Sequence, residues 1–161
     1  MKARIRETRS KTPHLIKMGL STDSIFIAAL SASDDIMEAV GGRIYGTAIP
    51  LPDEDAENVT PPYIIVTFDS LTNDQTTKDD RYESEYDKVN ISICVVGKTL
   101  GHLHDLTQMI RDVILSYFKS NDTAICDYTF NAQSIQYDSD KPCYWQVLSY
   151  QCDVINTDDN E

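Results

Sequence analysis

His102, His104 and Asp105 come nearest to a catalytic or metal-binding cluster in this chain. Imidazole is the usual general base, and two imidazoles with a carboxylate make a possible zinc ligand set. The surrounding pattern predicts a helix over Leu100–Phe118, however, and residues two apart on a helix point to different sides. The two histidines therefore cannot share one ligand, and they read as solvated first-turn residues. His14 lies far away near the N-terminus and completes no ligand spacing. The four cysteines, Cys94, Cys126, Cys143 and Cys152, contain no C-x-x-C pair. All fall in or beside predicted strands, where a reduced cysteine packs as a small apolar filler. Asp69, Asp74, Asp79 and Asp80 are carboxylates of the kind hydrolases use, but they sit in a polar loop with no dry scaffold to raise a pKa. There is no Walker loop and no glycine-rich dinucleotide turn. The expectation is a protein that is not an enzyme and carries no metal or cofactor.

Composition sets the frame for the elements that hold these residues. A chain of 161 residues, 41% hydrophobic and 25% charged, is most simply one domain able to bury roughly 70% of its unfolded surface. No apolar run approaches the ~20 residues that span a bilayer, and the basic N-terminus lacks the apolar stretch of a signal peptide. No membrane partner is expected. The net charge of −12 is unevenly placed. Residues 1–20 carry six basic side chains against Glu7, a net of +5, whereas residues 21–161 carry eight basic and 25 acidic ones, a net of −17. This predicts a basic arm on an acidic body. An acidic body does not suit a nucleic-acid reader, which would present a basic face to phosphates.

Periodicity supplies the elements. Ser21 or Thr22 is placed to cap a helix with Ile25, Phe26, Ala29 and Leu30 on one face, and Ser33 opens a second helical segment holding Ile36, Met37 and Val40. Gly41-Gly42 stops it, and a short strand follows over Arg43 to Ala48. Residues 49–61 form a loop rich in proline and charge. Tyr63–Ser70 reads as an inner strand. Leu71–Arg81 is a long polar connection without an apolar anchor, and Tyr82–Gly97 carries the cleanest alternation in the chain, Val89, Ile91, Ile93 and Val95 against Lys88, Asn90, Ser92 and Cys94. Leu103, Leu106, Ile110, Val113, Ile114 and Tyr117 define the amphipathic face of the long helix, with Thr99 as its cap. Two closing strands, Ile125–Tyr137 and Tyr144–Ile155, flank a turn at residues 138–142. In the last strand Tyr144, Gln146, Leu148, Tyr150 and Cys152 share one face, opposite Trp145, Val147 and Ser149. Its aromatic residues pack the sheet and are candidates for a subunit interface. The fold class expected is α+β, a single domain with an antiparallel sheet of four or five strands and helices mainly on one face. Its parts are a basic arm (1–20), the domain (21–155) and an acidic tail (156–161).

The run Val40-Gly41-Gly42-Arg43-Ile44-Tyr45, followed by Pro61-Pro62-Tyr63-Ile64-Ile65-Val66, resembles the small tail-completion, or tail terminator, proteins of long-tailed bacteriophages. The resemblance extends over about Ser21 to Val154. It implies a virion structural protein, assembled in the host cytoplasm, that forms a homo-oligomeric ring, usually a hexamer. Such a ring stops tail-tube growth and joins the tube to the head-tail connector or neck proteins. Genomic DNA would pass through its lumen without sequence-specific binding, and an acidic wall would let it slide. The candidate partner-contact residues are Asp53, Glu54, Asp55 and Glu57 in one loop, and Asn73, Asp74, Lys78, Asp79, Asp80 and Arg81 in the other. Lys2, Arg4, Arg6, Arg9 and Lys11 form a candidate docking arm, for a neighbouring protein first and DNA second. Alternatives are a head-completion or connector adaptor of the neck, a small hydrolase, and a soluble peptide-binding module that uses a free sheet edge.

Overall fold

A computed structural model describes residues 18–47, 60–73 and 86–155. A single 3-10 turn, Met18–Ser21, leads into α1 (Thr22–Ser31), whose Ile25, Phe26, Ala29 and Leu30 are buried as their spacing predicts. Ser21 holds the N-cap position but its side chain caps nothing; instead its carbonyl accepts from the Ser24 hydroxyl at 2.5 Å. The preceding turn leaves Ser21 at φ −117°, ψ 20°, away from the extended geometry in which a capping oxygen reaches the first free N–H groups. In α2 (Asp34–Val40) the cap does form: the Ser33 hydroxyl accepts from the Ile36 N–H at 3.4 Å. Asp34 and Asp35 in the first turn suit the positive end of the helix dipole. The glycine pair ends α2 in a Schellman motif, with Gly41 at φ +58°. The Gly42 N–H donates to the Met37 carbonyl at 2.9 Å and the Gly41 N–H to that of Glu38 at 3.2 Å.

The described residues form six strands: β1 (Ile44–Gly46), β2 (Tyr63–Thr72), β3 (Tyr86–Gly97), β4 (Ile125–Ala132), β5 (Gln136–Asp138) and β6 (Cys143–Ile155). They form one sheet in the order β1-β2-β3-β6-β4, with the short β5 also paired to β6. Every pair is antiparallel except β1–β2, which is parallel. β3 and β4 both run antiparallel to β6, hence parallel to each other, so the chain needs a crossover between them. The long helix α3 (Leu100–Ser120) is that crossover, capped by Thr99, whose hydroxyl accepts from the His102 N–H at 3.2 Å. At Gly97 a Cβ would stand 3.2 Å from Leu103 backbone atoms, so the end of β3 and the first turn of α3 approach closely enough that any side chain there would require Leu103 to shift.

Among the described residues, α1 and α3 pack on the sheet face that carries Ile64, Val66, Val89, Ile91, Ile93, Val95, Leu148, Tyr150, Cys152 and Val154, each of them buried, and α2 lies against those two helices. This is the expected α+β domain, with one predicted strand divided. Ile125–Tyr137 is β4 and β5, because one extra residue enters the chain opposite β6 between the Ala132–Leu148 and Gln136–Trp145 pairs. Such an insertion re-aims the strand, and Ile135 within it packs partly buried on the core. The connection beginning at Leu71 also differs from expectation. β2 continues to Thr72, and Leu71 is an apolar anchor, half-buried against the core opposite Val89. Its parity is restored by a second extra residue, Asp69, between Phe68 and Ser70.

The centre of the core is aromatic. Phe26 of α1 meets Phe118 at 5.4 Å and Tyr150 at 5.1 Å between ring centroids, and Tyr150 also touches Tyr128 at 5.6 Å and Phe130 at 5.1 Å. Such contacts add to plain area burial. Tyr150 is 2% exposed, and its hydroxyl has no hydrogen-bond partner. The cost of that orphan is testable.

Candidate docking surfaces

The two short motifs that stand out in the sequence form one structure. The glycine pair delivers β1 into its parallel pairing with β2, Ile44 opposite Ile64, Tyr45 opposite Ile65 and Gly46 opposite Val66. The Arg43 Nε donates to the Pro62 carbonyl at 2.9 Å, and the Ile64 N–H donates to the Arg43 carbonyl at 3.0 Å. A Cβ on Gly41 would stand 3.2 Å from the Arg43 guanidinium, so that glycine both turns the chain and leaves room for the brace. Tyr45 and Tyr63 then lie with ring centroids 6.5 Å apart on the side of the sheet away from the helices.

That helix-free side is divided along the strands. Beside the β1 junction it carries Tyr63, Ile65, Cys94, Trp145 and Val147, all half-buried, and Val96, buried. Farther along it becomes polar: the Asn90 amide donates to the Ser70 hydroxyl at 2.8 Å, and the Ser92 hydroxyl donates to the Asp69 carboxyl. At the far end Tyr86 and Ile155 pair directly, 44% and 39% exposed. The face is thus apolar at both ends and polar between.

The shifted titratable groups here all favour their neutral forms. Burial pushes the Cys94 thiol up, with Cys143 beside it adding to the effect; burial also raises Cys143 itself, helped by Asp138 and opposed by Lys141. Burial pushes Cys152 up to about 12. Burial likewise raises the Tyr63 phenol, with Cys143, Cys94, Asp138 and Tyr45 contributing further. These thiols stay neutral at physiological pH and are poor nucleophiles. Cys94 is half-buried and Cys143 and Cys152 are buried, in keeping with apolar filling. Cys126 is exposed, against that expectation; it is the extra residue at the register shift between Ile125 and Asp127 of β4, which takes its side chain out of the strand's alternation.

Of the sequence-predicted contact residues, Asn73 alone lies among those described, and it is a clasp. Its amide donates to the Asp87 carboxyl at 2.7 Å and to the Tyr86 carbonyl at 3.4 Å. Asp87 is 4% exposed, so Asn73 satisfies a buried acid at the base of the β2–β3 hairpin. Asp53, Glu54, Asp55, Glu57, Asp74, Lys78, Asp79, Asp80 and Arg81 lie outside the described residues, as do Lys2, Arg4, Arg6, Arg9 and Lys11. Asp69, expected in the same polar loop, instead lies within β2, where it accepts from the Ser92 hydroxyl.

His104 and Asp105 face different depressions. His104 lies beside Arg111, whose guanidinium sits 4.8 Å above the Phe130 ring, in a hollow between α3 and the β4–β6 side of the sheet. Asp105 lies on a groove between α2 and α3 with Asp35, Gln108, Met109, Asp112 and Val113. Among the described residues no three His, Cys, Asp or Glu side chains are grouped to hold a metal ion. The groove was not foreseen from sequence. Its α3 half was legible, since Asp105 and Asp112 are seven residues apart and so share a helix face, but nothing local indicates that α2 lies alongside.

No protein-family model matches this chain, and neither does any curated protein. Solved structures do. A chain from the virion of a native gene transfer agent particle is similar at 12% sequence identity and a TM-score of 0.56, over 83% of this chain and 93% of that one. The gp17 protein of bacteriophage SPP1 is similar at 17% identity and a TM-score of 0.42, over 86% of this chain and 94% of that one. The fold built on the β1–β2 junction, the α3 crossover and the β3–β6 centre is thus one that a virion chain of a gene transfer agent particle also has.

Proposed function

We propose that this protein is a structural component of a phage or phage-like virion: a homo-oligomeric ring, hexameric, that terminates the tail tube and joins it to the head connector. The observation that carries the reading is the likeness of fold to a virion chain over most of both chains. It agrees with the element order of the tail-completion resemblance, from the Gly-Gly-Arg turn to the closing strands. The chemistry of the surface supports a role without catalysis: the thiols are held neutral, the two α3 histidines and Asp105 do not converge, and the helix-free sheet face offers apolar area at both ends. A ring needs one patch to meet a different patch on the next copy, and β1 and β4, the edge strands among the described residues, and the two faces of the sheet supply distinct surfaces. In this reading residues 1–20 are an arm, 21–155 the ring-forming domain and 156–161 an acidic tail. The loops at 49–61 and 71–81 then reach the tube and connector. The net of −17 over residues 21–161 suits a lumen through which DNA slides.

The test is native mass spectrometry of the purified protein, followed by electron microscopy of particles made without it. The reading expects a closed oligomer, and unjoined heads beside tails of uncontrolled length. A monomer at all concentrations, with normal particles in its absence, overturns it. Capture of a portal-proximal protein in place of the tube protein would move the chain to the connector side of the neck.

A further inference from the structure

Among the described residues, the groove between α2 and α3 is acidic and has no basic side chain in its lining. Asp35, Asp105 and Asp112 line it with Gln108, Met109 and Val113, and no lysine, arginine or histidine is among the lining residues. None of the three carboxylates has an ion-pair partner among the described residues; Asp112 accepts one hydrogen bond, from the Gln108 amide at 2.9 Å. The floor is apolar, since Met109 and Val113 are half-buried and packed against the core. Aliphatic stems of arginine or lysine can lie on such a floor while their charged ends reach the rim.

We infer that this groove seats the basic N-terminal arm of an adjacent copy of the same chain, an inference that rests on the oligomeric reading above. Two observations support that occupant. The arm is the one strongly basic stretch of the sequence, +5 over residues 1–20 against −17 for the rest, so its charge is complementary to the groove. In addition, the arm joins the domain at Met18–Ser21, which packs against α1, β3 and β6 rather than chiefly on α2 or α3. Seventeen residues reach up to about 56 Å when extended, enough to cross to a neighbour. Exposed ion pairs are individually weak, and repetition around a closed ring makes a weak contact effective.

The experiment uses full-length protein in which Ile5 is replaced by a photo-reactive benzoylphenylalanine, mixed with isotope-labelled full-length protein lacking it. After irradiation, mass spectrometry maps which labelled peptide the arm has reached, and native mass reports the oligomer. The inference expects cross-links from the arm of one chain to residues 105–116 or α2 of another. Their yield should fall several-fold in about 0.5 M salt, where screening is short-ranged. It should fall likewise in the Asp35→Asn, Asp105→Asn, Asp112→Asn triple variant, whose folding is checked by circular dichroism. Cross-links confined to one chain, cross-links to another surface, or a yield indifferent to the asparagine substitutions overturn it. An intact oligomer with any of those results removes this inference and leaves the ring; a monomer removes both.

Discussion

Replacing Tyr150 with phenylalanine should stabilise the protein. Tyr150 lies at the centre of the aromatic cluster, 2% exposed, with Phe26, Tyr128 and Phe130 within 5.6 Å of its ring. Its hydroxyl is buried and accepts or donates no hydrogen bond. A hydroxyl taken from water without a partner costs about 1–3 kcal/mol in proteins. Phenylalanine keeps every ring contact and leaves only a void the size of one oxygen, worth a few tenths of a kcal/mol at the ~24 cal/mol per Å³ of cavity seen in core truncations. The net gain is about 1 kcal/mol at neutral pH, or roughly 2–4 °C in Tm for a chain of this size. The gain should also grow with alkalinity. Burial, with Tyr128 adding, raises the phenol far above its ordinary value of 10.0, although Arg111 opposes this. Above pH 10 the unfolded phenol therefore loses its proton while the folded one keeps it, and wild-type stability falls. The phenylalanine variant has no such loss, so the difference should widen by about 1.4 kcal/mol per pH unit there. Urea unfolding at pH 7, 9 and 10.5 measures both effects. A variant destabilised by about 1 kcal/mol at pH 7, the cost of losing a satisfied hydrogen bond, with no growth at high pH, would refute the reasoning.

Gly97→Ala places a Cβ 3.2 Å from the Leu103 backbone and should cost about 1–3 kcal/mol by overpacking, read as a lower urea midpoint with unchanged m-value. Gly101→Ala, in the first turn of α3 with nothing within 4 Å of the new methyl, should instead stabilise by about 0.5–1 kcal/mol; thermal melts of the pair should move in opposite directions. Asn73→Ala removes the amide 2.7 Å from buried Asp87 and should cost about 1–3 kcal/mol. A double-mutant cycle with Asp87→Ala should return most of that as coupling. Deleting residues 74–78 while keeping Asn73 should leave the circular dichroism spectrum unchanged but block tube-to-head joining, and normal infectivity would show that segment to be dispensable.

Much of this fold was legible along the chain because its elements are set by local rules. The two-residue alternation of Val89 to Val95 named the core face of β3, and the three-and-four spacing of Leu103 to Ile114 named that of α3. Gly41-Gly42 and Thr99 marked ends that backbone geometry enforces. The packing of Cys94, Cys143 and Cys152 as apolar filler followed from their strands, and the exposure of Cys126 did not. Tertiary structure decided what no window of sequence contains. β1 pairs parallel to β2 and Arg43 reaches Pro62, a contact nineteen residues apart. The extra residues at Asp69 and between Ala132 and Gln136 appear only when a strand is laid against its partner, since a bulge is a mismatch of two registers. Asn73 looked like a loop residue free to meet a partner, and the fold gave it a buried acid to hold. The groove of Asp35, Asp105 and Asp112 exists because α2 and α3 pack side by side. A sequence states the charge of each residue, but the electrostatic surface depends on which charges the fold brings together.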